Sequence, residues 1–498
     1  MLKVMKSKFL YILTGLSVLI FGSCNKWLNI IPEDTTTEKQ LFSDAGGYHS
    51  AINGLYQTMS GSQLYGENLT WGFASALSQY YDSYSSNDTK RFSFTERYEY
   101  NSDEMKNFGE QIWQTSYNVI ANANNILAHL VDADPEIFPE YDKCEMDVIK
   151  GESLAIRALM HFDLLRLFAV SPKVDAKAKA IPYVDTYPSL FNERKTVEDV
   201  IARIEKDLED AANLLAKNDT TSGYSLSSLQ SASNRFNASN SSRNFFFTAR
   251  GTRLNYVAVS SLLARVKSYA GDLKGAYDIA KNIVDKYVDE NRWYSFTTGF
   301  SSTDTDSNRP HKLIDELLVS FYNENLSTTY TSSVNAKLIN NSYSLKNLDS
   351  YFDDRNDIRF SKLVYNVDQT TPVSLKYYER SNPTVSAENK LIPIMRISEL
   401  YFIMAEYLAS QGDMAGAADC INEVRLARSC TNMIPADLTE AEFNNALDME
   451  IKRENIAEGQ YFFYCKKIDA ATINNNGVFV NMSGKYTMNI PDSETSLN

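Results

Sequence analysis

The sequence predicts a mostly α-helical protein in which helix pairs are joined by long, decorated loops. Three observations predict it: apolar residues recur at helical spacing over several long stretches, one helix-turn-helix pattern occurs twice, and the intervening segments are long and polar. The chain has 498 residues, 43% of them hydrophobic, enough for a large buried core.

The first helical stretch is residues 110–130, where Trp113, Tyr117, Ile120, Asn124 and Leu127 fall three and four apart on one stripe. Trp113 therefore belongs to the core. Residues 148–169 are apolar on more than one face, as in a deeply buried helix, and residues 195–217 open with Thr196 as a cap and continue amphipathically. Two later stretches, "LLARVKSYAGDLKGAYDIAKNIVD" (262–285) and "FIMAEYLASQGDMAGAADCINEVR" (402–425), align Ala264 with Ala405, Gly271-Asp272 with Gly412-Asp413, and Ala276 with Ala417. Each resembles a tetratricopeptide helix pair: small residues let the helices approach closely, and Gly-Asp makes the turn. Their wide separation predicts an irregular superhelix with insertions rather than a regular solenoid. The polar stretches are 61–109, 218–250 and about 292–390. The Ser/Asn-rich 218–250 segment reads as a surface loop, whereas the other two carry aromatics suited to a ligand. The runs "IEKDLED" and "EIKRENIAEG" read as solvated helix faces with i,i+4 pairing.

Composition excludes several functions. Lys and Arg number 49 against 63 acids, a net charge of −14 that argues against gripping nucleic-acid phosphates. The four histidines, His49, His129, His161 and His311, have no metal-ligand spacing, and the chain has no GxSxG, P-loop or dinucleotide fingerprint. The stretch beginning Asp304-Thr-Asp306-Ser-Asn308 starts like a calcium loop, but Arg309 stands where glycine is needed and Asp315 where glutamate is. Solvated loop acids are the better reading, and no cofactor is expected. Besides Cys24, the cysteines are Cys144, Cys420, Cys430 and Cys465, which leaves open either a Cys420–Cys430 disulfide or buried free thiols.

At the amino terminus, Lys3, Lys6 and Lys8 precede the apolar run Phe9 to Phe21, and Gly22-Ser23 precede Cys24. The run fits a secretory signal and is too short for a membrane-spanning helix. Small residues before a cysteine resemble a bacterial lipobox, in which the thiol takes diacylglycerol and becomes the first mature residue. Removing residues 1–23 makes the chain three charges more negative. Acyl chains would therefore supply the membrane affinity.

Seven segments in order carry a wider resemblance: "CNKWLNIIPED" (24–34), "YNVIANANNIL" (117–127), "GESLAIRALMHFDLLRLFA" (151–169) with "IPYV", "YFDDRNDIRF" (351–360), "RISELYFIMAEYLASQGDMAGAADCINEVRLAR" (396–428), "EIKRENIAEGQYFFYCKKID" (450–469) and "YTMNIPDSETSLN" (486–498). Together they resemble the SusD/RagB family of outer-membrane nutrient-binding lipoproteins nearly end to end. Gln460 and Tyr464-Cys465 depart from the pattern. The resemblance implies four tetratricopeptide-like helix pairs with long loops, a signal peptide over 1–23, and a single SusD-like domain over 24–498. That domain divides into a helical part (24–217), the 218–250 loop and a C-terminal part (251–498). It also implies a non-catalytic lipoprotein on the cell exterior that captures oligosaccharide and hands it to a SusC-like, TonB-dependent β-barrel. A peptide-binding member of the family, a surface glycoside hydrolase and a scaffold without a small ligand are the alternatives.

A sugar site needs aromatic faces with amide or guanidinium groups nearby, because C–H faces stack and hydroxyls pair with planar polar groups. The candidates are Trp71, Tyr80, Tyr81, Asn87 and Arg91 in the first loop, Trp293, Tyr294 and Phe296 in a second, and Tyr322, Asn325 and Tyr330 in a third.

Overall fold

The long helices begin where the sequence supplies caps. In a computed structural model of the chain, which describes residues 37–82, 90–138, 144–189, 192–220, 226–237, 245–298, 300, 305, 309–335, 342–367, 370–475 and 478–495, helix α1 spans Ala45–Met59 and α2 spans Asp103–Val131. Ser102 caps α2 by accepting from the Met105 N–H, and Asp103 and Glu104 complement the helix dipole. Of the stripe read from the sequence, Trp113, Ile120 and Asn124 are buried and Tyr117 and Leu127 partly so, with Trp113 meeting Phe168 edge-on at 5.0 Å. Helix α3 (Cys144–Phe168) is buried on nearly every face, as its unbroken apolar sequence requires. Helix α4 (Val197–Thr220) packs along it, and Thr196 caps α4 at the Asp199 N–H (3.2 Å). The two helices meet closely at Gly151, where a Cβ would stand 2.9 Å from Leu215 Cγ.

The two similar stretches form α5 (Tyr256–Ala270) with α6 (Leu273–Ile283), and α7 (Ile397–Ser410) with α8 (Met414–Ala427). Their turns are built alike. Gly271 and Gly412 adopt φ of +90° and +80°, and Asp272 and Asp413 each accept from a backbone N–H three residues on, at 2.9 Å. Helix α6 packs against α7, which joins the two hairpins. Helix α9 (Glu440–Glu454) and the short α10 (Tyr461–Lys467) complete this half.

Strands are few and pair antiparallel: β1 (Lys179–Pro182) with β2 (Arg194–Thr196), β3 (Leu317–Tyr322) with β6 (Leu391–Arg396), β4 (Val364–Asn366) with β5 (Pro372–Ser374), and β7 (Thr472–Asn475) with β8 (Val478–Asn481). The β3–β6 ribbon, with irregular register near Val319, places Tyr322 opposite Leu391 at its outer end. No described helix is long and apolar enough to cross a membrane.

Three expectations are corrected. The "EIKRENIAEG" run is not a solvated face: Glu450, Lys452, Arg453, Glu454 and Glu458 are all buried, and Glu450, Arg453, Glu454 and Glu458 form ion pairs with Arg359, Arg425, Asp353, Arg428, Lys376 and Arg396, far away in the sequence. "IEKDLED" is mixed. Lys206–Asp210 is an exposed i,i+4 pair, whereas Asp207 is buried in a two-pronged contact with Arg157 (2.7 Å each). The described parts of 218–250 are not a bare surface loop either. Ala232 and Phe236 join a small core with Ile314, Leu317, Val385, Ala387 and Leu391, while the buried Arg235 guanidinium lies 4.0 Å over Tyr294. Cys144, Cys420, Cys430 and Cys465 are free thiols, so Cys420 and Cys430 form no disulfide.

Candidate functional site

The polar stretch after α1 does not wander. Closely spaced turns bring Glu67 to Gly72 and Thr70, and its aromatics point inward. Trp71 is fully buried, edge-on to Tyr330 at 5.0 Å. Tyr80 donates to the Lys452 carbonyl (2.6 Å), Tyr81 to the Trp71 carbonyl, and Tyr330 to the Ser374 carbonyl (2.7 Å). Trp293 packs on Tyr287, and Tyr294 lies beneath Arg235. These six candidates, Trp71, Tyr80, Tyr81, Trp293, Tyr294 and Tyr330, are core residues and offer no face to a ligand. The reason is energetic: a ring brings roughly 150–250 Å² of surface, and burial at about 25 cal/mol per Å² outweighs leaving it on a loop. Phe296 is half-buried against Tyr401 and Arg428. Asn87, Cys24, Asp304, Asp306 and Asn308 lie outside the described residues.

The exposed candidates are Arg91, Tyr322 and Asn325. They flank one segment, Ser60–Gly72. At one end Asn323, next to Tyr322, donates its side-chain amide to the Ser60 carbonyl (2.6 Å). At the other, Arg91 pairs with Glu67, and its Nη1 donates to Tyr343 Oη (2.8 Å), which itself donates to Glu67 Oε1 (2.9 Å). The guanidinium also lies 5.4 Å from the Phe92 ring and 5.7 Å from that of Phe108. Arg91 is thus fixed by the Glu67 carboxylate and the Tyr343 hydroxyl while its side chain remains 40% exposed. Burial, reinforced by the Glu67 carboxylate, holds the Tyr343 hydroxyl well above the ordinary phenol range, so it stays a proton donor.

Around Tyr322 the arrangement is more open. Its hydroxyl donates to Glu324, Lys390 pairs with that same carboxylate, and the ammonium sits 5.7 Å from the Tyr322 ring. The Lys390 and Tyr322 hydrogen bonds pull the Glu324 carboxyl below its usual range, which keeps it an acceptor. Asn325 holds the start of the helix Leu326–Asn335, its carbonyl accepting from the Thr329 N–H (2.8 Å) with its side chain outward. At its two ends the segment is thus flanked by an exposed planar cation, Arg91, and by a half-exposed ring, a carboxylate and an amide at Tyr322, Glu324 and Asn325. Glu67, Tyr343, Glu324 and Lys390 were not legible as part of it, because Tyr343 and Lys390 join from 276 and 66 positions away. No described cluster of His, Cys, Asp and Glu has the geometry to hold a metal.

Residues 199–494 match the family model described as the SusD family, and residues 27–234 match one described as starch-binding and associating with the outer membrane. The chain belongs to the SusD family. Solved structures of SusD relatives share its fold. A SusD superfamily protein from Bacteroides thetaiotaomicron superimposes with a TM-score of 0.69 at 20% identity, over 91% of this chain and 98% of that one. A SusD-like carbohydrate binding protein from Bacteroides vulgatus gives 0.66 at 17%, over 91% and 96%. A laminarin binding SusD-like protein gives 0.61 at 16%, over 91% and 97%. No curated protein sequence matches the chain. At these identities the likeness is one of fold, the mostly helical SusD architecture that the ordered sequence blocks predict.

Proposed function

We propose that the protein is a non-catalytic, lipid-anchored member of the SusD family that captures an oligosaccharide at the cell exterior and passes it to a SusC-like, TonB-dependent β-barrel. The observation that carries this reading is the family match, one half of which is described as starch-binding and associating with the outer membrane. The domain begins at Cys24, whose thiol carries the lipid. Oligosaccharide meets the face around Arg91, Tyr322 and Asn325. There Arg91 donates to ring hydroxyls, Glu324 and Asn325 accept or exchange hydrogen bonds, and the exposed Tyr322 ring takes a C–H face.

Tyr322→Ala with Arg91→Ala should weaken glycan binding by about tenfold or more, the loss of a stacking face and a charge-assisted hydrogen bond. Titration of the protein with the glycan it binds best measures this. Unchanged affinity in the double variant would place the ligand elsewhere. For the anchor, intact-mass measurement of the membrane fraction should find a chain starting at Cys24 with a diacylglyceryl thioether. A mature chain with a different first residue, or a free Cys24 thiol, contradicts it.

A further inference from the structure

The cations Lys90, Arg91 and Lys390, at the two ends of the 60–72 segment, each carry a carboxylate of the protein's own. Arg91 pairs with Glu67 at one end, and Lys390 with Glu324 at the other. Lys90, next to Arg91, pairs with Asp82 (3.3 Å) and also donates to the Asp82 carbonyl (2.5 Å). The two ends are built alike, because each carboxylate also accepts from a tyrosine hydroxyl: Tyr343 donates to Glu67 (2.9 Å) and Tyr322 to Glu324. Local spacing does not produce these trios. Tyr343 lies 276 positions from Glu67, and Lys390 lies 66 from Glu324.

In two of the three pairs the acid is the more exposed partner. The Glu324 side chain is 63% exposed against 33% for Lys390, and Asp82 57% against 14% for Lys90. Only at Arg91 does the cation stand outermost, with Glu67 8% exposed beneath it.

An ion pair presents donors and acceptors side by side. A sugar hydroxyl is both donor and acceptor and can bond either member, whereas a ligand carboxylate or sulfate brings acceptors only. Such an anion could use the cation alone, and it would then stand against the carboxylate that already holds that cation. Like charges brought together oppose binding. The net charge of −14 adds repulsion at longer range. A site for acidic sugars is expected instead to leave its cations free for the ligand.

We infer that Glu67 and Glu324 are specificity-determining residues, built-in counter-ions that reserve these two ends for neutral oligosaccharides and turn away those carrying carboxylate or sulfate groups. Such selection presupposes the oligosaccharide reading above, and adds to it the chemical class admitted and the two residues that decide it.

Calorimetric titration of the purified protein with two panels tests this: malto-, laminari- and xylo-oligosaccharides as neutral ligands, and oligogalacturonate, alginate and chondroitin sulfate oligomers as acidic ones. The best neutral ligand is expected to bind at least about tenfold tighter than any acidic one. Glu324→Gln, at a carboxylate largely in solvent, should keep the parent melting temperature. By freeing Lys390 it should raise the affinity for oligogalacturonate about fivefold at low ionic strength, the upper worth of an exposed ion pair. The gain should shrink in high salt, and adding Lys390→Met should remove it. Glu67→Gln, which keeps a carbonyl for the Tyr343 hydroxyl, should act likewise through Arg91, with Arg91→Met as the reversal. An acidic ligand bound as tightly as the best neutral one, or an unchanged oligogalacturonate affinity in Glu324→Gln, would overturn this role of the two carboxylates while leaving the oligosaccharide reading in place. Binding of no oligosaccharide from either panel would overturn that reading, and the selection with it.

Discussion

Arg428→Met is expected to lower the stability of the protein by about 3–5 kcal/mol, as removal of one partner from a buried ionic network does. Arg428 is fully buried and binds Glu316 through Nη1 (2.8 Å) and Nη2 (2.6 Å), and Glu454 through Nε (3.0 Å) and Nη2 (2.5 Å). The network extends through Arg359 to Asp357 and Glu450, and Glu450 in turn meets Arg425 and Arg453. Burial works to raise the Glu454 carboxyl, but Arg428, Arg359 and Lys376 overcome it and hold it well below the ordinary range. Methionine would leave two carboxylates in the core without their shared cation. Lysine at the same position should cost less, since it keeps the charge but loses the two-pronged geometry. Arg355→Ala breaks an ion pair with Asp349 that is largely in solvent, and its effect should stay below about 1 kcal/mol. Urea unfolding of the three variants reads this directly. A change of less than about 1 kcal/mol in Arg428→Met would show that the network does not hold the C-terminal half together.

The second large effect is a loss of stability in mild acid. His161, in the middle of α3, is fully buried. Its Nδ1–H donates to the Arg157 carbonyl (2.9 Å), its Nε2 accepts from the Val184 N–H (3.0 Å), and its ring stacks 3.9 Å from Tyr183. Protonation at Nε2 would turn that acceptor into a donor facing a donor. Burial above all, with the charges of Arg157 and Arg203, lowers its pKa to about 3. In the unfolded chain it titrates near its ordinary value of about 6.5. Between those two values the unfolded state binds the extra proton, so stability rises with pH across that window and falls as pH drops from about 6.5 toward 3. The full difference corresponds to about 5 kcal/mol at about 1.4 kcal/mol per pH unit. Melting temperatures between pH 7 and pH 4 should fall steeply for the parent chain and less so for His161→Gln, which keeps a donor and an acceptor but does not titrate. Parallel curves for the two proteins would refute the assignment.

The helices were legible because their signals are local. Apolar spacing along 110–130, the Thr196 cap and the two Gly-Asp turns each act within a few residues, and each stands in the structure where the sequence places it. The charged runs were misread for the opposite reason. Whether Glu454 faces water or Arg428 depends on packing between segments 26 positions apart, and its neighbour Glu316 lies 112 positions from Arg428. Local i,i+4 spacing carries no information about that. The blocks "YFDDRNDIRF", "VRLAR" and "EIKRENIAEG" supply much of this network. The site was harder still. Composition drew attention to Trp71 and Trp293, yet large rings are what a core takes up first, and the residues left in solvent are Arg91, Tyr322 and Asn325. Their partners Glu67, Tyr343, Glu324 and Lys390 come together only through the fold.

The most direct measurement of the functional claim is a binding screen of the purified protein against a panel of oligosaccharides and a matched panel of peptides. Saturable binding of at least one oligosaccharide is expected, weakened when Arg91 and Tyr322 are replaced by alanine, with no turnover of that glycan. Binding of peptides alone, or hydrolysis of a bound glycan, would contradict it.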